Sequence, residues 1–114
     1  MKIHILRDKP TADQIAEMLE ELQTYIKLAV DVDRGIVAGG GEWHRDCEQV
    51  LLDEGSRQEN IWGADWSPAK SEVRFEALIN LRPRQNNRSM TIQDITLRAR
   101  IEKIVRSIFQ GISA

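Results

Sequence analysis

Eight consecutive residues, Arg82-Pro83-Arg84-Gln85-Asn86-Asn87-Arg88-Ser89, hold three guanidinium groups, three carboxamides and a hydroxyl. Arginine grips a carboxylate or phosphate through two parallel N–H donors, and Asn and Gln add neutral donors and acceptors. The stretch leads into a predicted helix, whose free backbone N–H groups also favour an anion. Arg82, Arg84, Asn86, Asn87, Arg88 and Ser89 are therefore the candidate ligand-binding residues. The alternative is a polar connection whose arginines pair with acids elsewhere in the chain.

A second constellation surrounds Gly39-Gly40-Gly41. Glycines between a strand and a helix can turn backbone N–H groups toward a phosphate. Here the Lys-Ser/Thr of a P-loop is missing, as is the dinucleotide glycine spacing. Glu42 and Asp46 would repel a phosphate while complementing the helix dipole themselves. The glycines therefore read as a close-packed corner. His44 follows, an imidazole of the kind that ordinarily titrates near neutral pH. Glu42 or Glu48 could orient it, so His44, Glu42 and Glu48 are the catalytic candidates. His44 with Glu48, or His44 with Cys47, has helical spacing for a divalent metal. There is no His-Glu-x-x-His pattern and the only other histidine is His4, so no metal and no cofactor is expected. Cys47 shares an apolar stripe with Trp43, Val50 and Leu51 and reads as a core filler.

The charge is unevenly spread. Residues 82–114 carry seven Lys/Arg against two acids, whereas residues 1–81 carry nine basic against sixteen acidic side chains. The formal net charge is −2 and the isoelectric point is near 5.7. That acidic total argues against extended duplex nucleic acid and leaves a compact anion or a protein partner. Trp62 and Trp66 share one strand face, with Asp65 between them, which points to core filling or a dimer contact rather than base stacking.

The elements that must position these groups are legible in the apolar spacing. Lys2 to Leu6 reads as a strand, and Thr11-x-x-Gln14 is a capping-box pattern opening a helix. Its stripe is Ile15, Met18, Leu19 and Leu22. Residues 26–32 alternate as a strand, and a hairpin at Gly35 leads to a second strand running into the glycines. Residues 42–54 read as a helix ended by Gly55, and Ile61 to Trp66 as a strand. The alternation from Val73 to Leu81 predicts a long strand. A last helix is expected from Ile92 to Gln110, capped by Ser89 or Thr91. The order β-α-β-β-α-β-β-α predicts an α+β fold in which a mostly antiparallel sheet of about five strands carries helices on one side. At 114 residues the chain reads as one domain, 1–114.

Four segments, Ala38-Gly39-Gly40-Gly41-Glu42-Trp43-His44, Asp53-Glu54-Gly55-Ser56, Asn60-Ile61-Trp62-Gly63 and Asn80 through Ser89, resemble a family of small bacterial domains of unknown function. The resemblance covers nearly the whole chain and implies a compact cytoplasmic protein. It implies no activity, cofactor or catalytic residue.

One cysteine excludes an intrachain disulfide and fits a reducing, cytoplasmic setting. No stretch approaches the roughly 20 apolar residues of a membrane span. The leading expectation is a binding or interaction module for a small anionic ligand or phosphate group at Arg82–Ser89. The alternatives are a small hydrolase or transferase using Glu42 and His44, and a homodimeric structural subunit whose acidic part meets its partner's basic end.

Overall fold

The computed structural model describes residues 2–111. In chain order the elements are β1 (His4–Leu6), α1 (Ala12–Met18), β2 (Ile26–Asp31), β3 (Ile36–Gly39), α2 (His44–Glu54), β4 (Ile61–Ser67), β5 (Glu72–Arg74) and α3 (Ile95–Phe109). The strands form one antiparallel sheet in the order β1-β3-β2-β4-β5. This is the expected α+β order.

The local signals explain the helix starts. Thr11 Oγ1 accepts from Gln14 N at 3.1 Å, and Gln14 Oε1 accepts from Thr11 N at 2.9 Å, the reciprocal capping box. α1 then runs only seven residues before Leu19 caps it. α3 is capped by Asp94, whose Oδ1 accepts from Thr96 N and Leu97 N at 2.9 and 3.2 Å. The cap expected at Ser89 or Thr91 is thus corrected. Asp94 offers a charged acceptor next to the helix dipole, while Ser89 turns back to its own loop.

Strand alternation sorts the core into two layers, and here the expected one-sided packing is corrected. Leu28 and Val30 of β2, Val37 of β3, and Trp62, Ala64 and Trp66 of β4 face Ile15 and Met18 of α1 and Ile101, Val105, Ile108 and Phe109 of α3. Ala29, Ile36, Ala38 and Ile61 face the opposite way and pack against Cys47 and Leu51 of α2. Both sheet faces are therefore covered, because the strands offer apolar side chains on both sides. Trp66 stacks on Phe109 with ring centroids 5.7 Å apart.

The long strand expected over 73–81 stops at Arg74. Beyond it the chain crosses to the α2 face of the sheet. Ala77 and Ile79 occupy the space that a side chain at Gly63 would need; a Cβ there would lie 2.5 Å from the Ala77 methyl. Residues Leu78–Asn80 form a 3₁₀ turn. Buried Asn80 then acts as a stand-in strand: its Oδ1 accepts from Gly63 N at 2.7 Å and its Nδ2 donates to Gly63 O and Phe75 O, both at 3.0 Å. The apolar alternation of 73–81 thus serves two different faces rather than one strand.

Candidate functional site

The loop after Asn80 is a small closed hairpin. Arg82 and Asn87 exchange both backbone hydrogen bonds, 2.7 Å from Arg82 N to Asn87 O and 3.0 Å in return. Between them Pro83–Gln85 form a 3₁₀ turn, closed by Asn86 in the left-handed region at φ 61°. Asn87 is buried, and its Nδ2 donates to Asn80 O, Ser89 O and Thr91 O at 2.7, 2.9 and 3.2 Å. Its Oδ1 accepts from Gln93 N at 2.9 Å. Ser89 Oγ accepts from Thr91 N at 3.0 Å. Asn87 and Ser89, read as ligand contacts, are thus internal fastenings of the loop, whereas Asn86 is exposed.

Arg82 is turned inward as well. Its Nε donates to Ile79 O at 2.8 Å, and its Nη1 donates to Gln58 O at 2.8 Å and Gln85 Oε1 at 3.2 Å. Its Nη2 donates to Ile61 O and, at 3.3 Å, to Glu48 Oε2. The guanidinium carbon lies 4.5 Å from the centre of the Trp62 ring. Only about a tenth of either side chain of the Arg82–Glu48 pair reaches solvent. Burial pushes the Glu48 carboxyl above its ordinary range, against the pull of Arg82 and Gln58. Burial likewise pushes the Arg82 guanidinium down, against Glu48. For both partners desolvation outweighs mutual attraction, the usual balance of a buried ion pair.

The two stretches of candidate residues meet in one place. Glu48 of α2 and Arg82 of the loop both line a surface cleft of about 540 Å³, with Leu78, Leu81, Pro83 and Arg84. Arg84 and Arg88 are exposed. Of the two, Arg84 lines the cleft, whose wall mixes Leu78, Ile79, Leu81 and Pro83 with Gln58 and Gln85. On the other side of Leu78 and Ile79 lies a hollow of about 190 Å³, lined with Trp43, His44 and Arg45.

At that hollow His44 opens α2, and its Nε2 lies 2.8 Å from Asp65 Oδ1 and 3.2 Å from Ala64 O. Asp65, on β4, is the partner that sequence reasoning did not find. The expected orienting role of Glu48 is replaced by its bond to Arg82. Lys27 Nζ donates to Glu42 O at 3.0 Å and lies 5.1 Å from the Trp43 ring centre. Cys47 is fully buried, its Sγ donating to Lys27 O at 3.4 Å, and burial pushes its thiol up to about 11. A thiol held protonated this way is no nucleophile at neutral pH. Among the described residues no three His, Cys, Asp or Glu gather as a metal would require.

The glycine corner is close-packed. Gly40 sits at φ 108°, and a side chain there would collide with the Lys2 carbonyl and Met18. Trp62 and Trp66 are buried in the core. On α3, Arg106 Nε pairs with Glu102 Oε2 at 2.8 Å, and Arg98 lies 4.8 Å over Phe75. No helix among the described residues is long and apolar enough to cross a membrane.

Residues 4–108 match the model of a family described as protein of unknown function (DUF5674), and the chain belongs to that family. No curated protein and no solved structure matches it significantly.

Proposed function

We propose that this protein is a binding module, that its site is the cleft beside Leu78 and Leu81, and that Arg84 there takes a carboxylate or phosphate. The observation that carries the reading is the contrast between Arg82 and Arg84. Five acceptors hold Arg82 inside the fold, whereas Arg84 stands exposed at the rim of the same cleft. Arg82 then has a positioning role: it fixes the 3₁₀ turn that carries Arg84, and it neutralises Glu48, the acid that would repel an anion. A preformed concave wall of Leu78, Leu81 and Pro83 supplies apolar contact for the rest of the ligand. Arg88 lies along the same loop and widens the positive field.

A thermal-shift series tests this, using inorganic phosphate, pyrophosphate, nucleoside monophosphates and phenyl phosphate at fixed ionic strength. A ligand at 100 times its dissociation constant adds about 2.7 kcal/mol of stability. The expected result is a shift for at least one anion that disappears in Arg84→Ala. A shift of equal size in Arg84→Ala would overturn the reading.

One observation favours a second reading, the hydrolase or transferase at Glu42 and His44. Asp65 lies within hydrogen-bond distance of the His44 imidazole, an arrangement that can orient a general base. Among the described residues no side-chain nucleophile accompanies it in these contacts, so water would have to attack. Turnover of phosphate or carboxylate esters, lost in both His44→Asn and Asp65→Asn, would support this reading; absence of turnover would remove it.

A further inference from the structure

Beside Arg84 the wall of the cleft holds a charge that a proton can change. Glu48 and Arg82 both line the cleft, with about a tenth of each side chain exposed. The bonding of this pair is lopsided. Arg82 has four acceptors besides Glu48, namely the carbonyls of Gln58, Ile61 and Ile79 and the carboxamide of Gln85. The Glu48 carboxylate has Arg82 Nη2 at 3.3 Å, long for a charge-assisted bond, and the Gln58 carboxamide. A proton on Glu48 therefore gives up little bonding and leaves Arg82 held in place with its charge uncovered. The lining then passes from one net positive charge, that of Arg84, to two, because its other side chains are neutral.

The remaining charges around Glu48 are engaged elsewhere. Arg57 and Glu59, on the turn that supplies Gln58, pair with each other at 3.0 Å. On α2 itself, Asp46 accepts from Trp43 N, and Glu54 pairs with Arg7 and Arg34. Arg45 lines the far hollow. β4 brings Asp65, bonded to His44. β2 brings Lys27, which donates to the carbonyl of Glu42, and Asp31, which accepts from Asp33 N and Arg34 N. β3 and the turn Leu78–Asn80 carry no charged side chain. Histidine is the residue type that ordinarily titrates between pH 5 and 8, and His44 lines the far hollow rather than the cleft.

We infer that Glu48 is a proton gate on this cleft, which takes its anion together with one proton and releases both as pH rises. The gate rests on Arg84 as the anion contact. The proton goes to the Glu48 carboxylate, and no covalent bond to the ligand forms. An anion beside that carboxylate favours its protonated form, and the protonated form favours the anion by the same factor. Burial pushes the Glu48 carboxyl up, so the gate works above the ordinary carboxylate range. Affinity is high below the raised value and falls as pH climbs through it.

Titration calorimetry with benzenesulfonate, an anion that keeps its charge throughout, tests the gate from pH 5 to pH 8 at fixed ionic strength. The affinity of the native chain should fall about fivefold or more across that range. Binding should also take up protons, seen as a heat that varies with the ionisation enthalpy of the buffer. Glu48→Gln keeps an acceptor for Arg82. It should bind at pH 8 as tightly as the native chain does at pH 5, with a flat profile and no proton uptake. Thermal unfolding at each pH verifies that both chains are folded. A pH-independent affinity in the native chain, lost in Arg84→Ala, would overturn the gate and leave the anion site standing. A slope undiminished in Glu48→Gln would overturn it as well, since the titrating group would then be another, His44 included. Absence of benzenesulfonate binding at every pH would also overturn it. Phenyl phosphate run in parallel then decides the anion site itself: binding lost in Arg84→Ala keeps that site, and no binding removes it.

Discussion

Nη2 of Arg82 lies 3.3 Å from Oε2 of Glu48, and this one ion pair joins two regions 34 residues apart in the chain. It fixes the arginine loop to α2 and brings Glu48 of one candidate constellation against Arg82 of the other. It also divides the arginines by role: Arg82 holds the fold, and Arg84 is left to face outward.

Replacing Arg82 by alanine should therefore damage the fold more than any binding. It leaves the Glu48 carboxylate buried without its partner and strips the donor from the carbonyls of Gln58, Ile61 and Ile79. Breaking a buried pair in this way costs about 3–5 kcal/mol. At roughly 4 °C per kcal/mol, melting should fall by more than about 10 °C. A fall below about 3 °C would show that the guanidinium is not the clamp described.

Glu48→Gln should behave differently, with a pH dependence of definite sign. The folded carboxyl has its pKa raised, so the folded state holds a proton that the unfolded chain releases near pH 4.5. The ionisation of Glu48 therefore costs stability as pH rises from about 4.5 through the raised value. Glutamine keeps the acceptor and avoids that cost. Relative to the native chain, the variant should be more stable at pH 7 than at pH 4, judged from urea midpoints. A difference independent of pH, or larger at pH 4, would contradict the burial argument.

Glu54 and Glu17 titrate with the opposite sign. Arg34 and Arg7 hold the Glu54 carboxyl low, and Lys2 and then His4 hold Glu17 low. Each contributes stability that is fully present above the unfolded value near 4.5 and is lost as pH falls through the depressed folded value. Arg34→Ala should flatten the acid limb of a stability–pH curve. An acid limb of undiminished slope in Arg34→Ala would count against the Glu54 assignment.

Asn80→Asp is nearly isosteric and should nonetheless cost about 3 kcal/mol or more. It removes the donor to Gly63 O and Phe75 O and places a carboxylate at a fully buried position. A chemical-denaturation midpoint close to that of the native chain would refute the carboxamide's role as a stand-in strand.

What could be read from the chain followed the sequence distance of the interactions. The capping box of Thr11 and Gln14 spans three residues and was legible. So were the burial of Cys47, Trp62 and Trp66, which their periodicity sets, and the tight corner at the glycines. The carboxamide of Asn80 reaches Gly63 across 17 residues, and His44 meets Asp65 across 21. Nothing in residue type announces such pairings, because they exist only once the sheet has formed. The segment 73–81 misleads for a related reason: its alternation is real, but Gly63 draws Ala77 and Ile79 onto the other sheet face. The arginine loop stands out in the sequence by its composition, but the division of labour within it does not. Only the fold shows that Arg82 and Asn87 are fastenings and that Arg84 faces out.

The most direct measurement is NMR mapping of backbone amide and arginine Nε–H shifts during titration with phenyl phosphate, a probe carrying one anionic and one apolar group. The account predicts perturbations at the Arg84 Nε–H and at amides of residues 78–85, with the Gly39–Gly41 amides and the α3 face of Arg98 and Lys103 unmoved. Perturbations centred on the glycine corner or on α3, with Arg84 silent, would contradict it.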